Sequence, residues 1–125
     1  MAIVGRTSII KLQRLKQLGR ISIARANKEI RRLRMIESRK KGTHTKEQWE
    51  SMKVEFGMRC VKCWEIFPHL DKDHIIPVYQ GGSDSIENIQ PLCAWCNCSK
   101  SSETFNWKEF RRGEMRLGKN KNHQA

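Results

Sequence analysis

The 125-residue sequence predicts an α+β chain, in which basic helices lead into a small unit of strand, loop, strand and helix stapled by two cysteine pairs. Three observations predict it. Apolar residues recur every three or four positions as far as Gly42, which is the helical period. After Arg59 the elements become short and the pattern alternates. Finally, Cys60-x-x-Cys63 and Cys93-x-x-Cys96 bracket the alternating stretch, with 29 residues between the pairs. A chain of this length is expected to form one core that buries only about two-thirds of its unfolded surface, so a structural staple is expected to matter.

Taken in order, Ile9, Leu12, Leu15 and Leu18 lie at helical spacing, and Gly19 supplies a stop. Ser22 is a candidate cap for a second helix, in which Ile23, Ala26, Ile30, Leu33 and Ile36 recur up to Gly42. Arg25, Lys28, Arg31, Arg32 and Arg34 fall on its other faces. This helix either packs on the core with a solvated basic face or touches phosphates directly, and the two roles are compatible. Thr45 and Gln48 have the spacing of a capping box. They open a helix whose Trp49, Met52 and Phe56 share one face before Gly57 ends it, and these aromatics read as packing residues rather than a base-stacking platform. A strand is expected from His69 to Ile75, a loop at Pro77 and Gly81-Gly82-Ser83-Asp84, a second strand at Ile89–Leu92, and a helix from Cys96 to Ser102. The basic, Gly- and Asn-containing stretch after Gly113 is expected to fray. Three segments result: a basic helical arm at 1–42, the cysteine-stapled unit at 43–105 and a basic tail at 106–125.

The formal charge of +12 calls for a polyanionic partner, and its distribution says more than its sum. Residues 1–42 carry 13 Lys and Arg against 2 acids, residues 43–105 carry 6 against 9, and residues 106–125 carry 6 against 2. Affinity for nucleic acid and chemistry are thus divided between segments. No apolar run approaches the roughly 20 residues of a bilayer span, so no membrane association is expected. Five cysteines with no apolar leader near Met1 argue against a secreted disulfide scaffold; a reducing cytoplasm with bound metal fits better.

Cys60, Cys63, Cys93 and Cys96 offer four soft thiolates able to close a tetrahedral structural Zn²⁺ site and so hold the two strands in register. Two redox C-x-x-C pairs are the alternative, without a thioredoxin-like pattern to support it. Cys98 falls outside the spacing and reads as a packing residue, while His69 is able to replace one thiolate.

Between and after the pairs stand Asp73-His74-Ile75-Ile76-Pro77, Gly81-Gly82, Glu87-Asn88-Ile89 and Cys93-Ala94-Trp95-Cys96-Asn97-Cys98-Ser99-Lys100-Ser101. Together these motifs resemble the HNH endonuclease family over roughly Cys60 to Ser102, about a third of the chain. The resemblance implies a ββα-metal (His-Me finger) core and hydrolysis of DNA phosphodiester bonds. It makes His74 the general base, a role suited to an imidazole whose ordinary pKa near 6.5 accepts a proton at neutral pH. It makes Asp73 a ligand of the catalytic divalent ion, and Asn88 the group that orients the loop and the base. Asn97 stands where the family's final His usually appears, so the chain is an HNN variant. Asp73 and Asn97 form an all-oxygen set that favours Mg²⁺ or Mn²⁺. Ser101 is expected to share Asn97's helix face and reach the metal through water, and Asp71 is a further candidate ligand. Lys100 reads either as a phosphate clamp or as a solvated lysine. Arg25, Arg31, Arg32 and Arg34 are the candidate nucleic-acid contacts, binding through counterion release.

The resemblance extends to small stand-alone HNH proteins of bacteriophages and mobile elements, some of which work beside packaging machinery. For a phage-encoded chain that implies the host cytoplasm. With one base per site, a double-strand break requires a dimer or two successive nicks. Loss of a ligand at Asn97 leads to a second class of function, a non-catalytic zinc-containing nucleic-acid-binding module with a degenerate site. These residues also admit RNA as a substrate.

Overall fold

The computed structural model describes residues 4–101 and 103–121. Its elements are α1 (Val4–Gln17), α2 (Ile23–Lys41), α3 (Lys46–Glu55), β1 (Asp71–His74), β2 (Ile89–Leu92), α4 (Ala94–Cys98) and α5 (Trp107–Lys121), with 3₁₀ turns at Val78–Gln80 and Ile86–Asn88. Helices surround a two-stranded antiparallel sheet, which is the α+β class. Ser102, the end expected for the fourth helix, lies outside the described residues, as do residues 1–3 and 122–125 of the expected arm and tail.

The helix starts follow the local sequence. Ser22 Oγ accepts the Arg25 amide at 3.2 Å. Thr45 Oγ1 accepts the Gln48 amide at 3.0 Å while the Thr45 amide donates to Gln48 Oε1 at 2.8 Å, completing the capping box. Each cap satisfies amides that a helix leaves without partners in its first turn. α1 packs along α2, whose Ala26 and Ile30 are buried. Trp49 and Met52 of α3 and Phe56 at its C-terminal cap join Val61, Leu70, Ile89, Leu92 and the sulfur-bearing Cys60, Cys93 and Cys96 in one apolar cluster. Three of the four paired cysteines are therefore part of the core itself, while Cys63 is exposed.

β1 and β2 pair with Asp73 opposite Gln90 and His74 opposite Ile89. All four residues of β2 are buried, so the strand shows no polar–apolar alternation. Its one polar side chain, Gln90, is fully enclosed and fully bonded. The Nε2 group donates to Asp73 Oδ2 at 2.9 Å and to the Phe105 carbonyl, and Oε1 accepts the amides of Trp107 and Lys108 at the start of α5.

The expectation of a frayed tail after Gly113 is corrected: the helix runs through Gly113 to Lys121. Long-range ties stabilise it. Arg111 donates to the carbonyls of Val61 and Lys62 at 2.6 and 2.7 Å, and Arg112 forks onto both carboxylate oxygens of Glu55. Those hydrogen bonds, reinforced by the glutamate's charge, hold the Arg112 guanidinium above its ordinary range.

Lys108, nearly inaccessible, donates to the carbonyls of Ile86 and Glu87 at 3.1 and 2.9 Å. Burial, reinforced by Arg112, brings its pKa down to about 8. An unfolded lysine keeps its proton to about pH 10.4. Between those values the unfolded chain binds more protons than the folded one, so this group's contribution to stability rises with pH across the window. Denaturant melts of zinc-loaded protein at about pH 7.5 and about pH 9.5 should show that upward slope in the wild type and lose it in Lys108→Met. An equal slope in both would remove Lys108 as its source.

Candidate active site and metal centre

The four Sγ atoms of Cys60, Cys63, Cys93 and Cys96 all lie within 4.8 Å of one another. Zinc–sulfur bonds of about 2.3 Å in a tetrahedron place sulfurs about 3.8 Å apart, so the cluster is able to hold zinc with little movement. Local structure presents each pair. Cys60 and Cys63 lie on a turn in which the Trp64 amide donates to the Cys60 carbonyl, and the Val61 amide ties that turn to Pro91 in β2 at 3.0 Å. Cys93 caps α4, its sulfur accepting the Cys96 amide.

Burial pushes the Cys96 and Cys63 thiols up. At Cys60 burial acts in the same direction but is outweighed by the backbone amides of Cys63, Cys93 and Lys62, which pull the thiol down. One thiolate is favoured; four together demand a cation. Cys98 is exposed and outside the set. His69 is also outside it, its Nε2 lying 3.2 Å from Asp71 Oδ1.

β1 turns Asp71 and Asp73 toward the segment that begins with α4. Asn97 Nδ2 donates to Asp71 Oδ2 at 3.2 Å, and among the described residues Asn97 Oδ1 has no protein donor. Lys100 Nζ donates to both oxygens of Asp73 at 2.8 and 2.9 Å and to the His74 carbonyl at 2.7 Å. Lys100 is buried, and its three protons are committed to these acceptors. Its burial rules out the solvated-lysine alternative, and to act as a phosphate clamp it would have to give up one of these acceptors. A carboxylate offers about four acceptor positions, of which Lys100 and Gln90 take three, so Asp73 retains one for a hard divalent ion. The Asn97 side chain lines the same cavity, so the two residues would supply hard oxygen donors of the kind such an ion prefers.

α4 ends at Cys98, short of the expected Ser102, and the chain passes Ser101 with φ of 59°. Ser101 therefore does not share Asn97's helix face, although it does line the same cavity. Lys100, two residues past the end of α4, reaches inward to Asp73 from this non-helical segment.

His74 Nε2 lies 2.8 Å from Asp84 Oδ1, and with Nε2–H donating to that carboxylate the unprotonated nitrogen is Nδ1. Among the described residues Asn88 makes no hydrogen bond to the imidazole. Its Oδ1 accepts the Ile76 amide at 2.9 Å, and its Nδ2 donates to the carbonyls of Ile76 and Ser83 at 3.0 and 2.7 Å. Asn88 thus pins the loop that follows β1, while Asp84 meets the ring. Gly82 makes the closure possible, because a Cβ there would stand 1.8 Å from the Ile76 carbonyl oxygen.

α2 reaches the same loop. Ser38 Oγ donates to the Gly82 carbonyl at 2.8 Å, Lys41 Nζ to the Gly81 carbonyl at 2.6 Å, and the Asp84 amide to the Ser38 carbonyl at 3.3 Å. Gly42 approaches so closely that a Cβ would meet that of Ser85 at 2.9 Å. Arg31 and Arg34 of α2, with Asp73, His74, Asn97 and Tyr79, line a cavity of about 400 Å³. Arg25 and Arg32 lie outside it, and Arg32 pairs with Glu29 on its own helix.

Asp84 and Gln90 escape sequence reasoning. The only signal for Asp84 is an acid placed in a glycine loop downstream of a candidate base, loops being where functional groups concentrate. Gln90, a polar residue in an otherwise apolar strand, carries a similar faint signal.

Over 74 residues, 59% of this chain and 83% of the relative, the sequence is 28% identical to Anaredoxin from Nostoc sp.. No solved structure matches. Among the described residues no helix is long and apolar enough to cross a membrane. Residues 60–103, about a third of the chain, span both cysteine pairs, the Asp73-His74 strand and Lys100, and they match the HNH endonuclease family model.

Proposed function

We propose that the protein is a metal-dependent endonuclease that hydrolyses DNA phosphodiester bonds. The observation that carries this reading is the shared cavity, onto which the candidate base, a carboxylate, an amide and two arginines all open. His74, with Nε2–H on Asp84, uses the lone pair of Nδ1 to take the proton of the attacking water. Asp73 and Asn97 would hold Mg²⁺ or Mn²⁺, which when bound supplies charge to polarise the scissile phosphate and favour departure of the leaving oxygen. Lys100 keeps Asp73 in place, and Arg31 and Arg34 attract the phosphate. Arg25 and Arg32, on the exposed faces of α2, add affinity by counterion release. One base serves one strand, so a double-strand break takes a dimer or two nicks. A role beside phage packaging machinery in a host cytoplasm is the setting that the resemblance favours.

A second reading also has an observation behind it. Lys100 already compensates the charge of Asp73, as befits a degenerate site retained in a zinc-containing nucleic-acid-binding module. Supercoiled plasmid incubated with Mg²⁺ or Mn²⁺ separates the two. Wild type should nick it, and His74→Ala should cut about 10²- to 10⁴-fold more slowly while retarding DNA equally on a gel. Retardation without cutting of DNA or RNA by the wild type, with either ion, would install the second reading. Cutting of RNA alone would change the substrate.

A further inference from the structure

We infer that Asp84 is the positioning residue for His74, and that α2 fixes Asp84 in that role. The inference deepens the nuclease reading and rests on it in one respect, that His74 is the base. Its geometric content stands separately. Asp84 is 8% exposed, and a carboxylate so enclosed needs partners on every side. One oxygen meets His74 Nε2 at 2.8 Å. The other lies 3.9 Å from Arg39 Nε and 3.7 Å from His44 Nδ1. The backbone is held as well: the Asp84 amide donates to the Ser38 carbonyl, and His44 Nδ1 lies 2.7 Å from the Asp84 carbonyl oxygen. Ser38 and Arg39 belong to α2, and His44 to the link into α3.

An imidazole free to exchange its two tautomers presents a lone pair on the needed nitrogen only part of the time. A fixed carboxylate that accepts Nε2–H selects one tautomer and one ring orientation, and stabilises the imidazolium formed when water is deprotonated. Asn88 is not placed to do this, since its three hydrogen bonds go to backbone groups of the loop. The same helix that sets Asp84 carries Arg31 and Arg34 into the cavity. Grip on the phosphate and alignment of the base are thereby built on one rigid element.

The experiment uses the full zinc-loaded chain with Asp84→Asn and Asp84→Ala. Cleavage of plasmid or oligonucleotide duplex should show kcat reduced about 10²-fold or more, with KM and gel retardation unchanged. Nitrogen-15 imidazole shifts should report His74 as the Nε2–H tautomer in the wild type and as a mixture or Nδ1–H in the variants. If either variant fails to fold, Ser38→Ala removes only the Gly82 bond and should lower kcat several-fold with the same drift in tautomer. An unchanged His74 tautomer in a folded Asp84 variant overturns the inference, whatever happens to activity. So does a loss of kcat matched by an equal loss of DNA retardation. Should the wild type cleave nothing, the nuclease reading fails by itself, and the imidazole shifts still decide whether Asp84 orients His74.

Discussion

Removing zinc with a strong chelator should unfold the segment from Thr43 to Phe105 in a single step, with loss of DNA cleavage. The scale of the effect follows from where the ligands sit. Cys60, Cys93 and Cys96 are members of the apolar cluster, and the sheet beside them has only four residues in each strand. Apparent binding free energies of structural zinc are about 10–16 kcal/mol, as large as the whole stability of an ordinary domain at about 5–15 kcal/mol. The knuckle at Cys60–Cys63 is also the platform for α5, through Arg111 to the Val61 and Lys62 carbonyls, so α5 should detach with it. Near-ultraviolet signals from Trp49 and Trp64, both in or against the core, follow this better than total helicity, to which α1 and α2 contribute. Cys96→Ser should reproduce the effect, while Cys98→Ser, at an exposed thiol outside the cluster, should be silent. A chelated sample that retains the cooperative melt and the tryptophan signals would refute the four-cysteine zinc site. Metal analysis adds the stoichiometry, for which one zinc per chain is expected.

What the sequence makes legible here is what local chemistry encodes. Ser22, Thr45 and Gln48 announce helix starts because a cap acts within three residues of itself. The two C-x-x-C pairs announce one cluster because four soft ligands at that spacing have few other uses. Asp73-His74 stands out through its motif, and the structure places the pair on β1 as expected. The contacts that escape sequence reasoning are long-range. α5 is held past Gly113 by Arg111 and Arg112, whose partners lie about fifty residues earlier, and nothing in the helix's own composition reveals them. Lys100 reads as a surface charge until the fold brings it onto Asp73, from a segment in which α4 has already ended and Ser101 has left the helix face. Asp84 looks like a turn residue because turn formation is the commonest use of an acid after Gly-Gly-Ser, and only the packing of α2 on that loop shows the carboxylate turned onto the imidazole.

Deleting residues 1–42 should do more than weaken binding: cleavage at low salt should fall on the order of 10²-fold, even when enough truncated protein is present to saturate the DNA. Had the arm been a tether alone, its loss would have cost affinity and left the chemical step intact at low salt, where phosphate attraction is strongest. The structure gives α2 a second task. Ser38 and Lys41 hold the carbonyls of Gly82 and Gly81, and the Ser38 carbonyl accepts the Asp84 amide. Without them the loop keeps its Asn88 anchor to Ile76 and Ser83 but loses the buttress behind Asp84. A displacement of about 1 Å at a catalytic group is enough for a loss of that size. Charge and scaffold are separable in the full chain, because Arg25 and Arg32 are exposed and outside the cavity. Replacing both by Gln should reduce the slope of log binding constant against log salt by about 0.9 for each phosphate no longer neutralised, with kcat preserved. The truncation and the double variant should therefore diverge, one losing turnover and the other losing only salt-dependent affinity. If instead the folded truncation turns over at the wild-type rate once saturated, α2 is a tether after all and the loop holds Asp84 unaided.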